Sequence, residues 1–481
     1  MAITFNHPIG DFGNYYYGSK FFREGIDPLK FYQDIHFFNE QIKNHESGTF
    51  FENYAPVPPF SLIFYWPFTF LKLAVAKFIF SLIGLIFFCF SLERLTRKLE
   101  VFNFSFYLLP IIFLLPLHSN FHQGQTYLLI TALLFEFYIA LQDDEKMRLG
   151  IIIAVLFALK IFPAFIAIIF FFKKDWKTIG WIVLFTSFVL AIVYFFISNR
   201  VADYYYLQVF PRLALNDITE PFSYYNQSVY TFLLNAFVFH PYLNPSPLID
   251  STIIAVIIQL LFYGFVSSVF VTAILKKNVF VSFVISLLVL ALLNKYSTVY
   301  GLVVFFPFIF LKKEISIKKM AVICLLFFLA CNIPFYKLSS MPLIFQYPRP
   351  WFLLAIFVIL VRELKMQFDL KYFSIALVIF ILPALVFYKY QTENTPEFRP
   401  KTGIVYDFDV DPTHIKLFTC IGNRDTVEVF NFRSASIDST AFRSLNHKAI
   451  YVNNKYLIQL CDKNTGVGMY YVKLIEPHRI E

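Results

Sequence analysis

Four stretches of the chain gather side chains suited to a hydroxyl-rich ligand. The first is Asp11-Phe-Gly-Asn-Tyr-Tyr-Tyr-Gly, backed by Phe21-Phe-Arg-Glu-Gly-Ile-Asp-Pro. The second is Asn53-Tyr-Ala-Pro-Val-Pro-Pro-Phe, with Trp66-Pro67 after it. The third is His122-Gln-Gly-Gln-Thr, and the fourth is Tyr224-Tyr-Asn-Gln-Ser. Aromatic faces pack on the C–H side of a sugar ring, while amides and carboxylates take its hydroxyls. An aromatic belt at a membrane surface would account for the tyrosines. It would not account for the Asn, Gln and Asp beside them. His118 and His122 stand at i, i+4 spacing, as metal ligands on a helix would. No carboxylate is near them and Gly124 follows, so they read as a polar turn. The chain has no P-loop, no dinucleotide glycine fingerprint, no H-E-x-x-H and no G-x-S-x-G. An ATP-driven pump is thereby disfavoured.

The elements that must position these residues follow from composition. Of 481 residues, 58% are hydrophobic, with 65 Phe, 30 Tyr and 4 Trp. Charged residues make up 15%, against about 25% in soluble domains. A soluble fold cannot hide that much apolar surface. An ordinary cytosolic enzyme and a disordered chain are both excluded, and an all-α polytopic membrane protein remains. Candidate spans are 72–91, 103–118, 126–141, 178–198, 251–275, 279–293, 297–311, 320–334, 350–361 and 372–389, about ten in all.

Charge sets the topology. The net +9 lies wholly in residues 1–390, because 391–481 carry 11 acids and 11 bases. The bases fall in short loops: Arg94, Arg97 and Lys98; Lys146 and Arg148; Lys173, Lys174 and Lys177; Lys276 and Lys277; Lys312, Lys313, Lys318 and Lys319; Arg362, Lys365 and Lys371. That is the positive-inside pattern and not a nucleic-acid surface. All can lie on the cytoplasmic side if 149–172 does not cross. This segment is basic at both flanks and interrupted by Lys160 and Pro163. Proline breaks the helical ladder, and a mid-depth charge needs a polar cavity. Two readings stand: a re-entrant hairpin of two half-helices that lifts Lys160 to the far side, or one kinked span with a snorkelling lysine. The far side then receives 1–58, 118–125, 199–250, 294–296, 335–349 and 391–481. Residues 1–58 carry 7 acids and 4 bases and no leading apolar run. Translocating them calls for a further helix upstream of Met1, or for a different topology at this end; the former is the expectation.

Three units result: an extracytoplasmic segment 1–58, a transmembrane domain 59–390 with an external loop 199–250, and a small β-rich extracytoplasmic domain 391–481. In the tail, short runs rich in Val, Ile, Tyr and Phe alternate with turn residues. Asp407, Asp409 and Asp411 alternate like a calcium loop, but Pro412 and Phe418 stand where glycine and the bidentate glutamate belong. Cys420 and Cys461 could pair as a disulfide outside the cytoplasm. Cys89, Cys324 and Cys331 lie in apolar runs.

Taken in order, the polar motifs resemble glycosyltransferase family 87, polytopic enzymes of the GT-C fold. The matching pieces are Asp11 with Tyr15 and Tyr16, the turn Gly25–Pro28, and the lead-in Tyr54, Pro56, Pro58 and Pro59. Then come Gly124-Gln125, Lys160 with Pro163, Lys174 with Trp176, and Asn226–Ser228. The resemblance covers roughly residues 11–300 and leaves out the tail. The family's late loop often has Ser-Pro and then a histidine; here it reads Asn294-Lys-Tyr-Ser-Thr-Val-Tyr300. The resemblance implies transfer of a hexose, mannose-like, from a polyprenyl-phosphate donor to an envelope glycan or lipid acceptor, with inversion. It implies an active site on the extracytoplasmic face of the plasma (inner) membrane. Asp11 is the expected base, with Asp203 the second acid. Lys160, then Arg212, Arg200 and Arg349, are expected to hold the phosphate. Tyr15, Tyr54, Gln125, Asn226 and Asp203 are expected to contact sugar or acceptor. No metal site is required; a divalent cation could assist the phosphate. A transporter or flippase of lipid-linked glycans is the alternative, and a scaffold acting through its tail is a third.

Overall fold

The computed structural model describes residues 10–45, 54, 56–100, 108–214, 222, 226–239, 244, 247–334, 338 and 341–393, with strand backbones only beyond that. Its body is helical. Helix α1 (Phe12–Arg23) precedes the membrane part and buries Phe12, Tyr15, Tyr16, Tyr17 and Phe21. Lys20 and Arg23 in its last turn suit the helix dipole, and Gly25 at φ +82° ends it. Asp27 then caps Pro28–Gln33, accepting from the Leu29 N–H at 3.0 Å. Gly18 lets the Tyr54 ring lie directly on α1, for a Cβ there would fall 2.2 Å from Tyr54 Cε2.

The main helices are α2 (Leu73–Lys98), α3 (Leu114–Gln123), α4 (Tyr127–Gln142), α5 (Lys146–Leu159), α6 (Trp176–Ile192), α7 (Thr252–Lys276), α8 (Val279–Leu293), α9 (Ile317–Asn332), α10 (Pro348–Glu363) and α11 (Leu370–Glu393). Among the described residues three helices are long and apolar enough to cross a membrane: Leu73–Lys98, Trp176–Ile197 and Thr252–Lys276. Five shorter apolar helices accompany them. The sequence expectation of about ten spans thus resolves into three full-length helices and a set of shorter pieces. One piece, Tyr300–Lys313, runs as a 14-residue 3₁₀ helix containing Pro307. A 3₁₀ helix rises about 2.0 Å per residue, so these residues reach about 28 Å, close to the thickness of a bilayer core.

Ion pairs and amide contacts tie the basic loops together at one end of the bundle. Lys98 pairs with Asp143, Lys146 with Asp175 at 3.4 Å, and Lys319 with Glu363 at 3.7 Å. Asn278 donates to Glu314 at 2.9 Å, joining the α7–α8 turn to the end of the 3₁₀ helix. Glu136 is buried and binds both Arg94, at 2.7 Å, and Arg148.

The Lys146–Asp175 pair also decides between the two readings of 149–172. It joins the residue that opens α5 to the N-cap of α6, so the chain climbs and comes back. The segment is a hairpin whose second arm is Ile161–Phe172. Helix α6 then climbs beside α5, with Gly150 against Trp181 and Ala154 and Ala158 against Val189. The hairpin turns at Lys160, whose backbone is extended (φ −155°, ψ 119°). Pro163 has no N–H for the Leu159 carbonyl, so the ladder of α5 stops there, and the proline is tolerated in the first turn of the second arm.

Between Ile404 and Ile475 only strand backbones are described, paired antiparallel in one set of three and one set of four. The side chains of Asp407, Asp409 and Asp411 and the Cys420–Cys461 pairing lie outside the described residues.

Candidate active site

At the end opposite the basic loops, four expected residues meet. The Gln125 amide nitrogen donates to Asp11 Oδ2. The Gln125 carbonyl oxygen accepts from the Tyr15 hydroxyl at 3.3 Å and from Lys160 Nζ at 3.4 Å. Separations of 110, 114 and 35 residues in sequence are bridged by one amide. Each partner arrives by its own element. Asp11 stands at the N-terminus of α1. Gln125 follows the Gly124 turn that ends α3, and Lys160 is the tip of the hairpin. Gly124 sits at φ +65°, and a Cβ there would fall 2.6 Å from Phe12 Cβ and 3.0 Å from Lys77 Cε. Only glycine allows this close approach of α3, α1 and α2.

The carboxyl group is enclosed. Burial pushes Asp11 up from its ordinary carboxylate value, opposed by the Lys160 charge, the Gln125 hydrogen bond, the Lys77 charge and the Tyr300 hydroxyl. Its backbone N–H reaches Gln123 Oε1 at 3.4 Å. The Lys160 ammonium lies 4.8 Å from the Tyr127 ring centroid and 5.9 Å from that of Tyr300, a cation–π seating on two walls. Tyr15 stacks on Tyr65 with ring centroids 4.7 Å apart and 8° between planes.

Lys77, Tyr127 and Tyr300 belong to this cluster and were missed from the sequence. Lys77 is fully buried in α2 and donates to the His122 carbonyl at 2.6 Å. The signal was present: a lysine inside an apolar span marks a functional position by default. Tyr300 comes from the late loop Asn294–Tyr300, which carries no histidine.

The remaining expected residues lie elsewhere. Asn226 donates to the Lys295 carbonyl and accepts from the Ser297 N–H, each at 2.9 Å. Arg349, buried, donates to the Ser297 carbonyl at 3.0 Å and the Ala330 carbonyl at 3.3 Å. Together they clamp the 294–300 loop, which carries Tyr300 to Asp11. Tyr54 packs beneath α1, its hydroxyl 3.1 Å from Ser61 Oγ. Asp203 accepts from Tyr194 at 2.6 Å, and Arg200 is exposed. The Arg212 side chain lies outside the described residues. The His118 and His122 rings stack at 5.9 Å. Among the described residues no group of three or more His, Cys, Asp or Glu comes together as metal ligands.

Beside the cluster lies a mainly apolar cavity of about 70 Å³. Tyr127 and Tyr296 line it together with Phe162, Pro163, Ala291 and Phe305. A larger cavity of about 270 Å³ opens among the basic loops, but its carboxylates, Glu100 and Glu314, are exposed. The first is singled out not by volume but by Tyr127 and Tyr296, which it shares with the surroundings of Asp11 and Lys160.

No curated protein and no solved structure matches the chain. Residues 57–294 match Glycosyltransferase family 87. The match spans Gln125, Lys160 and Asn226 and begins after α1, so Asp11 joins the matched region through space. This membrane-embedded chain therefore belongs to glycosyltransferase family 87 and is an enzyme that moves a sugar from a donor to an acceptor.

Proposed function

We propose that the enzyme transfers a mannose-like hexose from a polyprenyl-phosphate donor to a hydroxyl of an envelope glycan or glycolipid, with inversion at C1. The observation that carries this reading is the enclosed Asp11 carboxylate, flanked by Lys160 and Lys77, beside an apolar cavity that shares Tyr127 with the cluster. In the step, the C1–O bond to phosphate breaks and its electron pair leaves with the phosphate. The acceptor oxygen bonds C1 from the opposite face, and its proton passes to Asp11. Lys160 and Lys77 stabilise charge developing on the departing phosphate. Arg200 and Arg212 stand second for that anion. The cavity receives the start of the isoprenoid chain, leaving the sugar among Tyr15, Gln125 and the late-loop tyrosines.

The gathering of basic loops at the opposite end supports a cytoplasmic position for that end. It supports an extracytoplasmic position, at the plasma membrane, for the site. A β-rich domain over 391–481 on the same side belongs to the same proposal. The GT-C fold is part of the same proposal, as are the boundaries 1–58, 59–390 and 391–481.

The test offers purified enzyme a radiolabelled hexose on polyprenyl phosphate or on a nucleotide. Consumption of the lipid donor alone supports the reading; equal use of the nucleotide donor refutes it. Ala291→Trp fills the cavity. It is expected to raise the KM for a long-chain donor about tenfold or more and to affect a two-isoprene donor less. The rate should also fall with decreasing pH through a midpoint above the ordinary aspartate value of about 3.9, because the base must be ionised and burial raises its value. A profile flat down to about pH 4 would count against Asp11 as the titrating group.

A further inference from the structure

We propose that Gln125 is a positioning residue that acts as a spacer: its amide keeps the Lys160 ammonium from closing onto the Asp11 carboxylate, so that each retains a free face for substrate. The inference rests on the roles given above to Asp11 and Lys160. The amide can point only one way. An ammonium only donates and an ionised carboxylate only accepts, so Lys160 and the Tyr15 hydroxyl must meet the carbonyl oxygen, and Asp11 the nitrogen. Gln125 is itself pinned. It is 6% exposed, its N–H bonds the Asn120 carbonyl at 3.0 Å, and Gly124 precedes it in the only backbone shape the close approach permits.

Without the amide, only the seating of Lys160 on the Tyr127 and Tyr300 rings opposes a direct contact between the two charges, and neither ring stands as a hydrogen-bonding partner to both. Direct contact would spoil both tasks. A touching ammonium stabilises the carboxylate as an anion and weakens it as a base, and a carboxylate-bound lysine has less to offer a phosphate. The other groups that face Asp11 are Lys77 from α2, Tyr127 from α4, and Tyr296 and Tyr300 from the late loop; Tyr15, on the helix that Asp11 opens, meets Gln125. Gln125 bonds both members of the charged pair.

Two substitutions pull in opposite directions. Gln125→Ala lets Lys160 close on Asp11, and the contact outweighs the lost amide bond. The acid limb of turnover should move down by about one pH unit, and affinity for polyprenyl monophosphate should fall about tenfold. Gln125→Glu keeps the shape but sets a second carboxylate beside the first, so the limb should move up. In Asp11→Asn/Gln125→Ala the lysine has no carboxylate to close onto, and affinity for polyprenyl monophosphate should return to near the wild-type value. If both single variants lose turnover with unmoved acid limbs, and the double variant recovers no affinity, Gln125 is merely structural and the spacer is overturned. The Asp11 reading fails separately, by wild-type turnover in Asp11→Asn alone. In that case the polyprenyl monophosphate affinities of Gln125→Ala and the double variant still decide the spacer.

Discussion

Asp11→Asn is expected to reduce turnover by about 10²–10⁴-fold, the range a positioned general base supplies. Donor KM and thermal stability should stay near the wild-type values. The asparagine oxygen can still accept from the Gln125 amide and the Tyr300 hydroxyl, so the cluster keeps its shape. What the amide cannot do is take the acceptor proton. The loss therefore falls on kcat, and a KM-against-kcat split in a solubilised transfer assay reads it directly. Turnover within a few-fold of wild type would remove Asp11 from the chemistry.

Much of this cluster was legible before any coordinates. Asp11, Tyr15, Gln125 and Lys160 each stood out by type: an acid among aromatic residues, an amide after a glycine, a lysine before a helix-breaking proline. The hairpin was one of two readings, because charge at both feet of an apolar segment is compatible with turning back. Composition does not reveal which feet touch, and the Lys146–Asp175 pair supplies that. Lys77 lies one turn inside the start of its apolar span, where a lysine can also snorkel to the membrane surface, so its type alone does not assign it to the site. Asn226 and Arg349 read as ligand contacts because their types suit ligands, yet they bond backbone groups of the late loop, and Arg349 the Ala330 carbonyl of α9 as well. Loop-holding and ligand-holding need the same donors, so sequence cannot separate them. The long 3₁₀ helix was unreadable for a different reason: its apolar run looks like that of any short α-helix.

Lys160→Ala is expected to weaken donor binding by about ten- to a hundredfold, the scale of one lost hydrogen bond to a charged partner. The ammonium is held between the Tyr127 and Tyr300 rings and steadied by Gln125, so it is aimed before the phosphate arrives. Lys160→Met separates charge from bulk. It keeps the fill between the rings, and it should match Ala in lost affinity while leaving thermal stability unchanged or raised, since an enclosed charge costs solvation. Lys160→Arg should recover only part of the affinity, because a planar fork does not reproduce a compact ammonium in that slot. Isothermal titration with polyprenyl monophosphate reads all three. Wild-type affinity in Lys160→Met would leave the lysine with a packing role only.

The hairpin has one more consequence, for parity. A segment that returns to its starting face adds no crossing, so every later helix keeps the direction it would have without 149–172. Helix α11 then rises antiparallel to α7, from Asp369 beside Ser268 to Ala384 beside Ala255 and Val256. The chain leaves its last helix at the same end as α1, so the orientation proposed for the site also sets the compartment into which that helix delivers the chain.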